Sequence, residues 1–249
     1  MLEVRGLSKR FGGLRAVSDV DLDVAEGSIT ALIGPNGAGK TTSFAMIAGF
    51  IRPDLGRVRF QGADITRQRP DQIAAAGMVR TFQITQPFAG LTVAENIRVG
   101  AFLRTANPGE ATARARALGE ELGLGALLDR PAAALTVAGR KRLEVARALA
   151  TQPRLLLLDE VMAGLNPSEI NDIVALIRQV QGRGVTILLI EHIMQAVTAL
   201  AGHVYVLAEG VLIAAGTPQQ IAEDPAVIEA YLGRGAAARM AQHAGNEHA

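Results

Sequence analysis

The residues best suited to chemistry form one short stretch, Gly34-Pro35-Asn36-Gly37-Ala38-Gly39-Lys40-Thr41, with the spacing G-x-x-x-x-G-K-T. Glycines admit positive φ and let successive backbone N–H groups converge on an anion, and a helix beginning at the lysine aims its positive end at the same point. Lys40 then reaches the β- and γ-phosphates of a nucleoside triphosphate, and the Thr41 hydroxyl binds Mg²⁺. Such a cradle needs a strand before it and a helix after it. The apolar run Ile29-Thr-Ala-Leu-Ile33 and a helix-compatible segment continuing through Ala45–Phe50 supply them. Thr42 completes the expected phosphate contacts.

A second chemical group follows Leu155-Leu-Leu-Leu, where Asp159 and Glu160 end an all-apolar run of the kind found in a central parallel strand. Beside a phosphate loop, the pair reads as an Mg²⁺-organising Asp159 and a catalytic Glu160. The run Val185–Ile190 ends in the same way at Glu191-His192. A lone histidine at a strand exit is commonly structural, but ligands of open α/β sheets sit at the carboxyl ends of strands, which favours a catalytic His192. Phe11, in a Lys-Arg-Phe-Gly-Gly turn, either stacks on an adenine ring or packs locally; spacing alone leaves both open.

The elements that must hold these residues can be read from periodicity. Val20, Leu22 and Val24 alternate with Asp19, Asp21 and Asp23, predicting a half-exposed strand that forms a small antiparallel layer with Leu2–Val4 and Val58–Phe60. A short strand, Met78–Phe82, ends at Gln83. Thr92-Val-Ala-Glu95 is a capping box that predicts a helix running to about Arg104. Glu110–Leu122 and Leu143–Ala150 also favour helix, so residues 84–150 are expected to form a helical insert, with Arg114, Arg116, Arg140, Lys141 and Arg142 on a solvated face. Asn166-Pro-Ser-Glu169 starts another helix, with Ile170, Ile173, Val174 and Ile177 as its buried stripe. A hairpin around Glu209-Gly210 and two short helices starting at Thr217 and Asp224 complete the ordered part. Residues 233–249 are expected to be a disordered tail.

Composition narrows the partners. In 249 residues, 25 Lys and Arg against 24 Asp and Glu give a net charge of +1, which offers no basic field for nucleic acid. There is no cysteine for disulfides or thiolate metal sites, no leader pattern, and no apolar run near the ~18 residues of a membrane span. A cytosolic chain that meets a membrane only through a partner is the expectation.

Phe11, Gly34–Thr41, Gln83, Leu135–Gly139, Leu155–Glu160, Ala163-Gly-Leu-Asn166 and His192 occur in the order and spacing of an ATP-binding cassette (ABC) ATPase, and over residues 1–232 the chain resembles that family. Arg10-Phe-Gly-Gly-Leu-Arg-Ala-Val17, Val79-Arg-Thr-Phe-Gln83, Glu191-His-Ile-Met194 and Tyr231-Leu-Gly233 look like the ATPase subunits of branched-chain amino-acid importers. The resemblance implies a single cassette of α/β class, with a mainly parallel P-loop sheet, an antiparallel β layer and a helical insert. It implies ATP and Mg²⁺ as cofactors and an adenine-stacking Phe11. Gln83 would reach Mg²⁺ and the attacking water, Asp159 would hold Mg²⁺ through water, Glu160 would polarise the attacking water, and His192 would contact the γ-phosphate. It further implies a place on the cytoplasmic face of the membrane beside permease subunits, a solute-binding protein acting through them, and a second ATPase.

At the family signature Leu-Ser-Gly-Gly-Gln the chain reads Leu135-Thr136-Val137-Ala138-Gly139, so Thr136 and Ala138 are the expected contacts to a partner's nucleotide and both glycines have gained side chains. Val161 replaces the proline usual after the catalytic glutamate, and Asn166 stands where Asp is frequent. An exporter ATPase or a turnover-poor regulatory subunit is the alternative reading. The solute is chosen by other subunits.

Overall fold

The computed structural model describes residues 1–81 and 87–233. Strands β1 (Leu2–Phe11) and β2 (Leu14–Val24) open the chain and pair antiparallel, Leu2 opposite Val24 and Val4 opposite Leu22. Val20, Leu22 and Val24 are buried while Asp19, Asp21 and Asp23 face solvent, as the alternation predicts. Phe11 closes β1 ahead of the Gly12-Gly13 turn. Strand β3 (Ile29–Ile33) is buried throughout and leads into α1 (Lys40–Ile47). This helix stops at Ile47 rather than at the expected Phe50. Gly49 turns to φ 77°, and the N–H groups of Phe50 and Ile51 both return to the Ala45 carbonyl.

Strands β4 (Leu55–Phe60) and β5 (Ala63–Asp64), joined at Gln61-Gly62, complete a four-stranded antiparallel sheet of order β2-β1-β4-β5. Helix α2 (Pro70–Ala76) then feeds β6 (Met78–Arg80), which ends before Thr81; Phe82 and Gln83 lie outside the described residues. Helices α3 (Val93–Ala101), α4 (Pro108–Glu121) and α5 (Val137–Ala150) pack against one another. The capping box of Thr92 and Glu95 forms as expected, although α3 ends at Ala101 rather than near Arg104. Helix α5 begins six residues before the expected Leu143, because Thr136 caps it by accepting the Gly139 N–H at 3.1 Å. Of the five basic residues on these helices, Arg116 alone is exposed to the degree a solvated face requires. Arg116 pairs with Asp129 at the surface and Arg114 with Glu110, but Arg140 binds the Leu135 and Ala133 carbonyls, Arg142 pairs with Asp172, and Lys141 is buried.

The rest is β7 (Leu155–Asp159), α6 (Pro167–Gly182), β8 (Thr186–Ile190), α7 (Met194–Leu200), the hairpin β9 (His203–Ala208) and β10 (Val211–Gly216), α8 (Pro218–Glu223) and α9 (Pro225–Leu232). On α6, Ile173 and Ile177 are buried with Leu176 and Val180, while Ile170 and Val174 are half-buried beside them. The second sheet has order β10-β9-β3-β8-β7-β6, with β3, β6, β7, β8 and β9 parallel and β10 antiparallel at the edge. Its all-apolar strands are covered on both faces, and their alternation divides the core. Ile29, Ile33, Leu156, Leu158 and Leu189 belong to the cluster that includes α5, α6 and α7, whereas Leu32, Leu155, Leu157 and Leu188 join Phe44 of α1 and the antiparallel layer. No helix among the described residues is long and apolar enough to cross a membrane. The expected disordered tail, beyond Gly233, lies outside the described residues.

Candidate nucleotide site

The carboxyl ends of β3, β7 and β8 fall on one edge of the larger sheet, because Leu32 stands level with Ile190 and Asp159 with Ile190. Every segment that leaves those strands therefore opens toward the same place. A cleft of about 580 Å³ lies there, lined by Phe11, Asn36, Gly37, Ala38, Gly39, Lys40, Thr41, Thr42 and Glu160, all expected from the sequence. Leu14, Arg15, Ala16 and Glu209 line it as well and were not foreseen. Phe11 is 47% exposed and lines this cleft, with the Lys9 ammonium 5.6 Å from its ring centroid.

The floor of the cleft is the N-terminus of α1. Gly39 occupies the cap position at φ 102°, no side chain caps the helix, and its first turn contains no acidic residue. The initial N–H groups and the positive end of the helix dipole are thus left to an anion from solution. Two glycines make the loop possible. A Cβ on Gly34 would lie 2.0 Å from the Leu207 carbonyl oxygen, and one on Gly39 2.4 Å from that of Ala16. The loop is also tied down, since the Gly210 N–H donates to the Ala38 carbonyl at 3.0 Å. At the far end of the chain, burial pushes the Tyr231 phenol up, partly offset by the backbone of Gly34, so α9 rests against the start of the loop.

Lys40 is buried, and its Nζ donates to the Gly34 and Pro35 carbonyls at 2.8 and 3.0 Å. Burial lowers its pKa, while Glu160 and Asp159 act in the opposite direction. Phosphate oxygens would replace those carbonyls as partners without moving the ammonium out of the loop.

Asp159, 1% exposed, meets Arg80 of β6, whose guanidinium donates to Oδ2 at 2.7 Å. The remaining oxygen, Oδ1, is buried with no hydrogen-bond partner among the described residues. The partnerless Asp159 Oδ1 and the Thr41 hydroxyl are hard oxygen donors, the type that fits Mg²⁺. Among the described residues no group of three His, Cys, Asp or Glu forms a metal cage. That also suits Mg²⁺, which takes one or two carboxylates and completes its shell with phosphate and water.

Glu160 is half-buried in the left-handed region at φ 48°, and its N–H donates to the Ile190 carbonyl at 3.0 Å. His192 is exposed at the end of β8 and does not line the cleft, nor do Thr136 and Ala138 at the start of α5. Gln83 lies outside the described residues. Gly34, Pro35 and Asp159 do not line the cleft, and the first two meet it through their hydrogen bonds from Lys40.

Sequence reasoning missed Arg80, Lys141 and Glu191. An arginine within a three-residue core strand demands a buried carboxylate, a signal that was present in Val79-Arg80. Glu191 likewise follows four apolar residues, 187–190, and is 1% exposed. Desolvation pushes its carboxyl up from the usual 4.5 to about 7, with the Glu160 charge acting in the same direction and the Met162 N–H and Lys141 against it. The folded state therefore binds this proton more tightly than the unfolded chain. The resulting stabilisation is full below about pH 4.5 and is lost as pH rises through about 7, on the order of 3 kcal/mol in all. Glu191→Gln lacks this titration, so its stability relative to the wild type should improve between about pH 5 and about pH 8 in denaturant melts. A difference that stays constant with pH would show that Glu191 does not titrate there.

A glycine-rich loop opening an uncapped helix, with a lysine inside it and an Asp-Glu pair on the neighbouring strand, defines a P-loop nucleotide-binding ATPase. The ABC transporter family model matches residues 17–163, and that of the branched-chain amino acid ATP-binding cassette transporter matches residues 211–237. The chain is 42% identical to the high-affinity branched-chain amino acid transport ATP-binding protein BraF of Pseudomonas aeruginosa, covering 94% of this chain and 98% of BraF. Identity to LivG of Escherichia coli, which has the same description, is also 42% with the same coverage. An ABC transporter cassette solved in its ADP conformation superposes with a TM-score of 0.86 at 34% identity, over 94% of this chain and 99% of that one. The chain belongs to the ABC transporter ATP-binding family, in the branch of the branched-chain amino acid transport ATP-binding proteins.

Proposed function

We propose that this chain is the ATP-hydrolysing subunit that powers import of branched-chain amino acids or similar small polar solutes. It would sit at the cytoplasmic face of the membrane on permease subunits that receive solute from an extracytoplasmic binding protein. The observation that supports this reading most directly is the cleft that places Lys40, Thr41 and Glu160 around one uncapped helix end. In this reading Phe11 stacks on the adenine, residues 34–42 cradle the phosphates, and Glu160 orients and deprotonates the attacking water. His192 contacts the γ-phosphate, and Gln83 reaches the metal site. Mg²⁺, held through Thr41 and Asp159, would neutralise charge developing on the β- and γ-phosphate oxygens. Arg80 fixes the Asp159 carboxylate so that Oδ1 remains the free oxygen. Reconstituted complex should hydrolyse ATP faster when the binding protein is loaded with a branched-chain amino acid. A rate indifferent to every such solute would exclude this substrate class.

The helices α3 to α5, within the proposed insert of residues 84–150, would carry the permease contact. Phe88 is 50% exposed and Leu91 half-buried. Phe88 opens onto an apolar cleft of about 430 Å³ between β6, α3 and α5, with Val79, Val99 and Arg147, and Arg147 lies over its ring at 5.5 Å. A charge placed there meets the apolar partner surface at a cost of several kcal/mol. Phe88→Glu should therefore leave ATP binding unchanged and reduce permease pull-down by about a hundredfold or more. Undiminished pull-down would remove this surface from the contact.

A further inference from the structure

The backbone that carries Glu160 is held by two buried titratable side chains, neither of which lines the cleft. Glu160 sits at φ 48°, a conformation that a residue with a Cβ keeps only when its surroundings enforce it. Lys141, in the second turn of α5 and 5% exposed, donates from Nζ to the Glu160 carbonyl at 3.3 Å. Glu191, at the end of β8, accepts the Met162 N–H on Oε1 at 3.1 Å. The Glu160 N–H is held by the Ile190 carbonyl at 3.0 Å. The peptides from Glu160 to Met162 are thus fixed on three sides, by β8, by Glu191 and by α5. Two of these anchors belong to the elements that present His192 and Thr136.

We infer that Lys141 and Glu191 are positioning residues for turnover: they hold the peptides on either side of Val161 so that the Glu160 carboxylate stays at the cleft. The inference rests on the reading of Glu160 as the group that acts on water. Burying a lysine and a glutamate is costly unless each is hydrogen-bonded, and here both hold one loop. Without either contact, the peptide can relax out of the left-handed region and take the carboxylate away from the attacking water. The phosphate loop, held separately by Gly210 and the Lys40 contacts, would be unaffected.

The test is steady-state ATPase activity and ATP binding in the assembled transporter for Glu191→Gln, Glu191→Leu, Lys141→Met, the Glu191→Leu/Lys141→Met double variant and Glu160→Gln. Glu191→Gln keeps an acceptor oxygen of the same shape and should stay within about threefold of the wild-type kcat. Glu191→Leu and Lys141→Met should each lose about ten- to a hundredfold in kcat, with KM and ATP affinity within about twofold. The double variant should lose much less than the product of the two, since both act on one loop. Equal losses in kcat and ATP affinity would mean general damage and overturn the inference, as would wild-type kcat in both single variants. If Glu191→Leu fails to fold, Lys141→Met and the Glu191→Gln rescue decide alone. Glu160→Gln separates the two claims. Inactive Glu160→Gln beside fully active Lys141→Met overturns only the positioning role, whereas active Glu160→Gln overturns the reading beneath it.

Discussion

Glu160→Gln is expected to bind ATP as the wild type does and to hydrolyse it roughly a thousandfold more slowly, the range of a lost general base. Glu160 lines the cleft, and its backbone is held by Ile190 and Lys141 whatever the side chain. The amide keeps size and hydrogen bonding but cannot take a proton from water. With hydrolysis blocked, the ATP-bound closed dimer should accumulate. Lys40→Ala should do the opposite. It removes the ammonium now shared between the Gly34 and Pro35 carbonyls and should weaken ATP binding about a hundredfold, the worth of one or two charge-assisted hydrogen bonds. Single-turnover kinetics and equilibrium ATP binding distinguish the two. Wild-type turnover of Glu160→Gln in the assembled complex would remove Glu160 from the catalytic role.

The second large effect concerns α5. Thr136 caps it and uses its hydroxyl on the Gly139 N–H, so the N–H groups of the first turn, at Val137 and Ala138, are the donors left to face a partner's nucleotide. Val137, the first residue of that turn, is 52% exposed. We propose an asymmetric working dimer in which a second, different ATPase closes the site holding this chain's Lys40, Glu160 and His192. The purified chain should bind ATP yet turn it over slowly, because a missing preorganised donor costs about 3–4 kcal/mol, or about a hundred- to a thousandfold in rate. Adding the partner ATPase with its permeases should restore the rate. Val137→Gly with Ala138→Gly should recover part of it in the isolated chain, at a cost of about 1–2 kcal/mol in helix stability that a thermal melt would reveal. If the double variant dimerises, binds ATP and gains nothing, the side chains at these positions are not what limits it.

Much of the site was legible in the sequence because its signals are local. The Gly34–Thr41 spacing, the apolar strands that precede each functional group, and the capping boxes at Thr92, Asn166 and Thr217 all act over eight residues or fewer. The alternation of valine and aspartate in β2 likewise fixed which face would be buried. The same locality explains two errors. Helix α1 ends at Ile47 because Gly49 turns to φ 77°, at a place where Ile73 and Gln68, from another part of the chain, leave no room for a side chain. Helix α5 starts at Val137 because the side chain of Thr136 supplies a cap that weak propensity in the following residues concealed.

Tertiary structure alone decided which distant groups share a position. Arg80 and Asp159 meet because β6 pairs with β7 in a register that sets Arg80 opposite Leu157. Lys141 reaches the Glu160 carbonyl because α5 packs against the sheet, although its sequence neighbours Arg140 and Arg142 predicted a charged face turned to water. Glu191 reaches Met162 because β8 pairs with β7, and it is burial that raises its pKa. A sequence signal of one helical turn cannot encode such partners, since strand order, register and helix packing depend on where the whole apolar surface closes. The sequence by itself determined the kind of chemistry and most of the residues that line the cleft; packing determined how the peptides beneath those residues are held.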